Sequence, residues 1–133
     1  MLKMTNNLNT MKNINTLGRI FYALPFGIFG INHFIMRDFY IGQLTSFIPG
    51  GAYTILLTGF CMILACISII SKKYITLTSF SLAFLLFIFI LTIHIPNLIS
   101  QKDVELTLVA MLKDISLMGG SLMIAGLSLE KKL

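Results

Sequence analysis

The sequence predicts an all-α membrane protein, a four-helix transmembrane bundle. Three observations carry this. Of 133 residues, 56% are hydrophobic and only 11% are charged, against about 45–50% and about 25% in an ordinary soluble domain. Mean hydropathy is +0.90. The apolar residues fall in four continuous runs, each long enough at ~1.5 Å per residue to cross a ~30 Å hydrocarbon layer. This composition excludes a soluble enzyme, a disordered chain and a nucleic-acid reader. The net charge of +5 comes from Lys and Arg scattered over short connections, with no basic stripe. Continuous rather than alternating apolar runs also exclude a β-barrel.

Residues 1–16 are polar and Asn-rich and are expected to form a flexible N-terminal tail. The first run is long and lacks a small-residue cleavage site, so it reads as a span and not as a signal peptide. The transmembrane domain is expected over 17–129, with spans at about 17–36, 52–71, 74–95 and 106–129. The middle two contain no Asp, Glu, Lys or Arg. The connection 37–51 is too apolar for a free loop because of Phe39, Tyr40, Phe47 and Ile48, and Pro49-Gly50-Gly51 ends it sharply. It is expected to lie at the membrane interface as a short re-entrant or amphipathic segment.

Charge sets the expected orientation. Lys3, Lys12, Arg19, Lys72, Lys73, Lys131 and Lys132 fall on one side of four spans, seven in all, against Arg37 and Lys102 on the other. The positive-inside rule then puts both termini in the cytoplasm.

Polar residues inside spans are costly and are candidate functional residues by default. Here they are Arg19, Asn32, His33, His94, Lys113 and Asp114. All but Arg19 fall toward the outer side of three different helices, although the spans were drawn from hydropathy alone. Helical spacing puts Arg19, Tyr22, Phe26, Gly30 and His33 on one face of the first helix. Phe80, Ala83, Phe87, Ile90 and His94 share a stripe of the third. Asp114, Ser121, Ala125 and Ser128 share a small, polar face of the fourth. Plain structural readings stand beside these. Arg19 can snorkel to headgroups as an inner-end polar residue. Lys113 and Asp114 can neutralise each other, and His94, just before Pro96, can cap a helix end. Gly119, Gly120 and Gly126 read as packing glycines. Cys61 and Cys66 read as small buried hydrophobes, too far apart around the helix for a mutual disulfide. No metal site is expected.

The segments Leu17 to Phe34 (LGRIFYALPFGIFGINHF), Ile48 to Gly51 (IPGG), FILTIHIPNL at the end of the third helix and LKDISLMGGSLMIAG in the fourth resemble the DoxX family of small bacterial membrane proteins. The resemblance implies a multi-pass protein of the bacterial inner membrane with four helices. It also implies an association with respiratory or redox partner proteins, including quinone-linked thiosulfate oxidation in related DoxD proteins. It supplies no active site to carry over. A quinone fits the candidate polar residues better than a haem or metal held by His33 and His94, which would both have to face inward at equal depth. Its ring and tail would need an apolar slot, for which Phe26, Phe29, Phe84 and Phe87 are candidates. Its carbonyls would need donors, for which His33, His94, Lys113, Asp114 and the neighbouring Asn32 are candidates. The competing reading is a non-enzymatic scaffold or assembly subunit whose polar residues only fix helix packing. The expected partners are the lipid bilayer and redox proteins, with homo-oligomerisation compatible and nucleic acid excluded.

Overall fold

A computed structural model describes residues 2–130, with side chains from Thr10 onward. Lys131 and Lys132 lie outside the described residues, as does the Lys3 side chain. Helix α1 (Leu2–Ile35) leads into a short α2 (Arg37–Gln43). After the turn at 44–51 comes α3 (Ala52–Ser71), then α4 (Ile75–Phe89). A π-helical turn, Ile90–His94, continues α4 into α5 (Ile95–Ile99), and α6 (Val104–Glu130) closes the chain. The described residues contain no strand. Four stretches are long and apolar enough to cross a membrane: Thr10–Ile35, Ala52–Ser71, Ile75–Ile99 and Val104–Glu130. Helices are the form such segments must take, since hydrocarbon offers backbone N–H and C=O groups no other partner.

Two boundaries differ from the sequence reading. Residues 2–16, expected as a tail, are helical and continuous with the first span. No proline or glycine interrupts them, so nothing in the sequence stops the helix from extending outward. The third span ends at Ile99 rather than at 95, because Pro96 sits in the first turn of α5, where its missing N–H is tolerated.

The spans run up, down, up and down. Helix α1 packs closely along α3, and α4 along α6. The first contact is set by glycines. A Cβ on Gly30 would lie 2.7 Å from the Gly59 carbonyl oxygen, and one on Gly59 would lie 2.7 Å from His33 Cβ. Gly27 faces Cys66 in the same way, 2.9 Å from its sulfur. These, with Gly120 against the Tyr22 ring, are the packing glycines. Gly119 and Gly126 have open space around them, so their expected packing role is not observed. The core is formed by Ala23, Phe26, Met62, Ala65, Cys66, Ile69, Leu82 and Leu86. Cys61, expected inside, is exposed on the outer surface, where it joins the Leu, Ile and Phe side chains that cover the bundle.

At one end of the bundle, α3 turns into α4 through Lys72-Lys73-Tyr74. Lys72 and Tyr74 adopt left-handed backbone there, and Ser68 Oγ donates to the Lys73 carbonyl. At the opposite, capped end lie α2 with the turn 44–51 and the connection 100–103. The turn uses Gly50 and Gly51 at φ +92° and +47°, conformations that glycine adopts without strain. Thr54 Oγ1 donates to the Pro49 carbonyl, 2.6 Å away, and fixes the start of α3.

Candidate functional site

The capped end encloses a cavity of about 600 Å³. Its floor is Phe26, Met62, Leu86 and Leu117, its walls include Phe29 and Phe89, and its roof is Phe39, Tyr40, Phe47 and Ile48. The segment 37–51 therefore serves as a cap over the cavity. Three bonds tie it to the other hairpin. Lys102 Nζ donates to the Gly42 carbonyl at 2.7 Å, Thr45 Oγ1 to the Thr92 carbonyl at 2.8 Å, and Asn97 Nδ2 to the Gln43 carbonyl at 3.5 Å. Partial burial of the Tyr40 side chain within this cap pushes its phenol above its ordinary value.

His33, His94, Lys113 and Asp114 all line this cavity. Asp114 is the hub. Its buried carboxylate accepts from His94 Nε2 at 2.8 Å through one oxygen and faces Lys113 Nζ at 3.3 Å through the other. Adjacent helical residues point ~100° apart, yet the long Lys113 stem spans that angle. It leaves the ammonium half-exposed and 4.4 Å above the Phe29 ring, a cation–π contact. Lys113 is thus not buried within its span, as its sequence position suggested.

His33 lies one layer across. Its Nδ1 is 2.7 Å from the Phe29 carbonyl oxygen. A carbonyl only accepts, so Nδ1 carries the proton and a neutral ring leaves Nε2 as an acceptor. The ring stacks on Tyr40 with centroids 4.0 Å apart. The two remaining sequence candidates do not join the site. Asn32 is half-buried on the neighbouring face of α1 and does not line the cavity. Arg19 lies fourteen residues back along α1, about 21 Å away, and its buried Nε has no hydrogen-bond partner among the described residues.

The third helix corrects the expected aromatic slot. Phe84 and Phe87 face outward, and Phe89 lines the cavity instead. In a continuous α-helix His94 would follow Phe87, seven residues back, onto one face. The π-helical turn adds a residue without adding a turn. It therefore rotates His94 by roughly 100°, off the Phe80–Phe87 stripe and onto the inward face of Leu82 and Leu86. Pro96 explains why the turn sits there. An α-helical residue 96 would donate to the Thr92 carbonyl, and proline has no N–H to give. The ladder slips to an Ile95 N–H bond on the Ile90 carbonyl, and Thr45 supplies the partner that Thr92 lacks.

Sequence reasoning missed Tyr40, Thr45, Thr92 and Asn97. The His-x-Pro spacing was the available signal for a displaced helix ladder, and the aromatic connection 37–51 was the signal for a cap.

Four spans, an apolar outer surface and a largely apolar cavity with one polar cluster define a multi-pass α-helical membrane protein. No protein-family model, no curated protein and no solved structure matches this chain.

Proposed function

We propose that this chain is a DoxX-like protein of the bacterial inner membrane, with both termini in the cytoplasm, and that its capped cavity binds a quinone-like molecule as part of a redox assembly. One observation carries the reading. A single cavity of about 600 Å³, within the usual ~300–1,000 Å³ of small-molecule sites, joins aromatic walls to a compact polar cluster. Phe26, Phe29 and Phe89 offer faces to a flat ring. The half-exposed Lys113 ammonium offers a donor to a carbonyl oxygen, and His33 Nε2 offers an acceptor to a hydroxyl of the reduced form. The His94–Asp114 pair behind them can take up or return a proton. The orientation is supported by Lys12, Lys72 and Lys73 at one end against Arg37 and Lys102 at the capped end.

The test is purification from native membranes, solvent extraction and chromatography, followed by thermal unfolding with added short-tailed quinone. Extractable quinone together with a rise in Tm that Lys113→Met reduces is the expected result. An extract without quinone, and a Tm that added quinone leaves unchanged, ends the reading.

A second reading, the scaffold subunit, is favoured by the closure of the polar cluster on itself. Both Asp114 oxygens already have partners within the chain. Such a subunit would co-purify with a partner protein in fixed ratio and without quinone.

A further inference from the structure

A second concave feature lies on the outside of the bundle, at the other end. Helices α3 and α4 are joined by only three residues, yet they touch less closely than the α1–α3 and α4–α6 pairs. A groove of about 590 Å³ runs between them. Small side chains make it deep. Ala65 and Leu82 form its buried floor, Ser68 and Ser81 leave room, and Leu77 and Phe84 stand along one wall. The hydroxyls at its closed end are satisfied internally, since Ser68 bonds both the Lys73 carbonyl and Thr78 Oγ1. The groove is therefore an apolar channel that ends at a basic turn.

Its lining runs from Ser71 to Cys61 along α3, ten residues or about 15 Å, and from Tyr74 to Ile88 along α4, fourteen residues or about 21 Å. The groove therefore spans at least the ~15 Å depth of one leaflet of a ~30 Å hydrocarbon core. The end that reaches the interface carries Lys73, with Lys72 beside it and Tyr74, exposed, at headgroup level. Neither lysine has an ion-pair partner among the described residues.

We propose that this groove is a binding site for an anionic phospholipid, with one acyl chain lying between α3 and α4 and the phosphate held by Lys72 and Lys73. The groove is long enough to take a chain of the leaflet that its own basic turn touches. The two unpaired ammonium groups supply the charge that a zwitterionic lipid does not complement as well. Its basic turn lies at the opposite end from the capped cavity, with Leu85 and Ile88 bordering both features, and its failure would leave the quinone reading untouched.

Cys61, exposed at the far end of the α3 wall of the groove, is a built-in reporter. The full chain in detergent is titrated with phosphatidylglycerol or with phosphatidylcholine of the same acyl chains. Alkylation of Cys61 by N-ethylmaleimide is then followed by peptide mass spectrometry. Phosphatidylglycerol should slow alkylation, with half-protection on the order of 30-fold below the concentration needed for phosphatidylcholine, from about a five-fold factor for each lysine. Replacing both lysines (Lys72→Ala, Lys73→Ala) should abolish that preference, and Lys72→Arg with Lys73→Arg should keep it. Equal protection by the two lipids, no protection by either, or an undiminished preference in the alanine variant would overturn the proposal.

Discussion

The two halves of the bundle solve the same problem in opposite ways. Toward the Lys72–Tyr74 end, the residues that face the axis are mostly small, Ile69 being the large exception. Ala23, Ser79, Ser121 and Ala125 are all fully buried, at 0% exposure. The helices close on them, and hydroxyl bonds cross between helices, Tyr22 to Ser121 and to the Leu117 carbonyl and Thr76 to Ser128, while the buried Ser79 Oγ has no hydrogen-bond partner among the described residues. Toward the capped end the axis is lined by aromatic rings and by a carboxylate with two basic partners, and a cavity remains. The Tyr22–Phe26 pair, with centroids 5.4 Å apart, marks the border. The comparison teaches that the cavity is not a packing failure. The glycines of α1 and α3 let that pair close tightly, so the free space collects between the two helix pairs instead.

The largest expected effect comes from removing the hub of the open half. Asp114→Ala strips His94 and Lys113 of their shared partner. It should cost roughly 3 kcal/mol, the range for breaking one side of a buried ion pair, seen as a lower Tm in detergent. Asp114→Asn, which can still accept from His94, should lose about 1 kcal/mol. If the two variants melt alike, the carboxylate charge does not organise the open half.

Glycine substitutions separate tight contact from open space. Gly59→Ala puts a methyl group 2.7 Å from His33 Cβ and 2.8 Å from the Gly30 carbonyl oxygen, which should cost about 1–3 kcal/mol by forcing α1 and α3 apart. Gly119→Ala meets nothing within 4 Å and should be neutral or stabilising, by up to about 1 kcal/mol from helix propensity. Thermal unfolding of the pair measures the contrast, and equal costs would refute the assignment of close contact to α1 and α3.

A smaller effect belongs to the closed half. Tyr22→Phe deletes the hydroxyl shared with the Leu117 carbonyl and Ser121, for a loss of about 1 kcal/mol. Thermal unfolding should show that loss, while the rise in Tm on adding quinone stays unchanged. The smallest global effect is expected for Thr45→Val, which leaves the Thr92 carbonyl without its partner. Its signature is local: faster hydrogen exchange in 37–48 and around the π-helical turn, with little change in Tm. Unchanged exchange would show that the cap is held by Lys102 and Asn97 without Thr45.

Much of the fold was legible in the sequence. Four apolar runs fix four spans because hydrocarbon admits only internally bonded backbone. The convergence of His33, His94, Lys113 and Asp114 at one end was legible too, since depth along a span follows from residue count alone. Asn32 was a misleading candidate, because adjacency to His33 in sequence means a different direction on a helix.

Rotation around the helix axes was decided only by tertiary structure. Periodicity assumes an unbroken 3.6-residue turn, so it put His94 on one stripe with Phe87. A single π-helical turn beside Pro96 takes His94 off that stripe and delivers it to Asp114, while Phe87 stays on the outer surface. The reason is physical: one missing N–H at Pro96 can be answered by a slipped ladder only if another part of the chain satisfies the freed carbonyl. That part is Thr45, forty-seven residues away. The sequence determined which segments cross the membrane and at what depth their polar groups lie, while packing between the two helix pairs determined which of those groups meet.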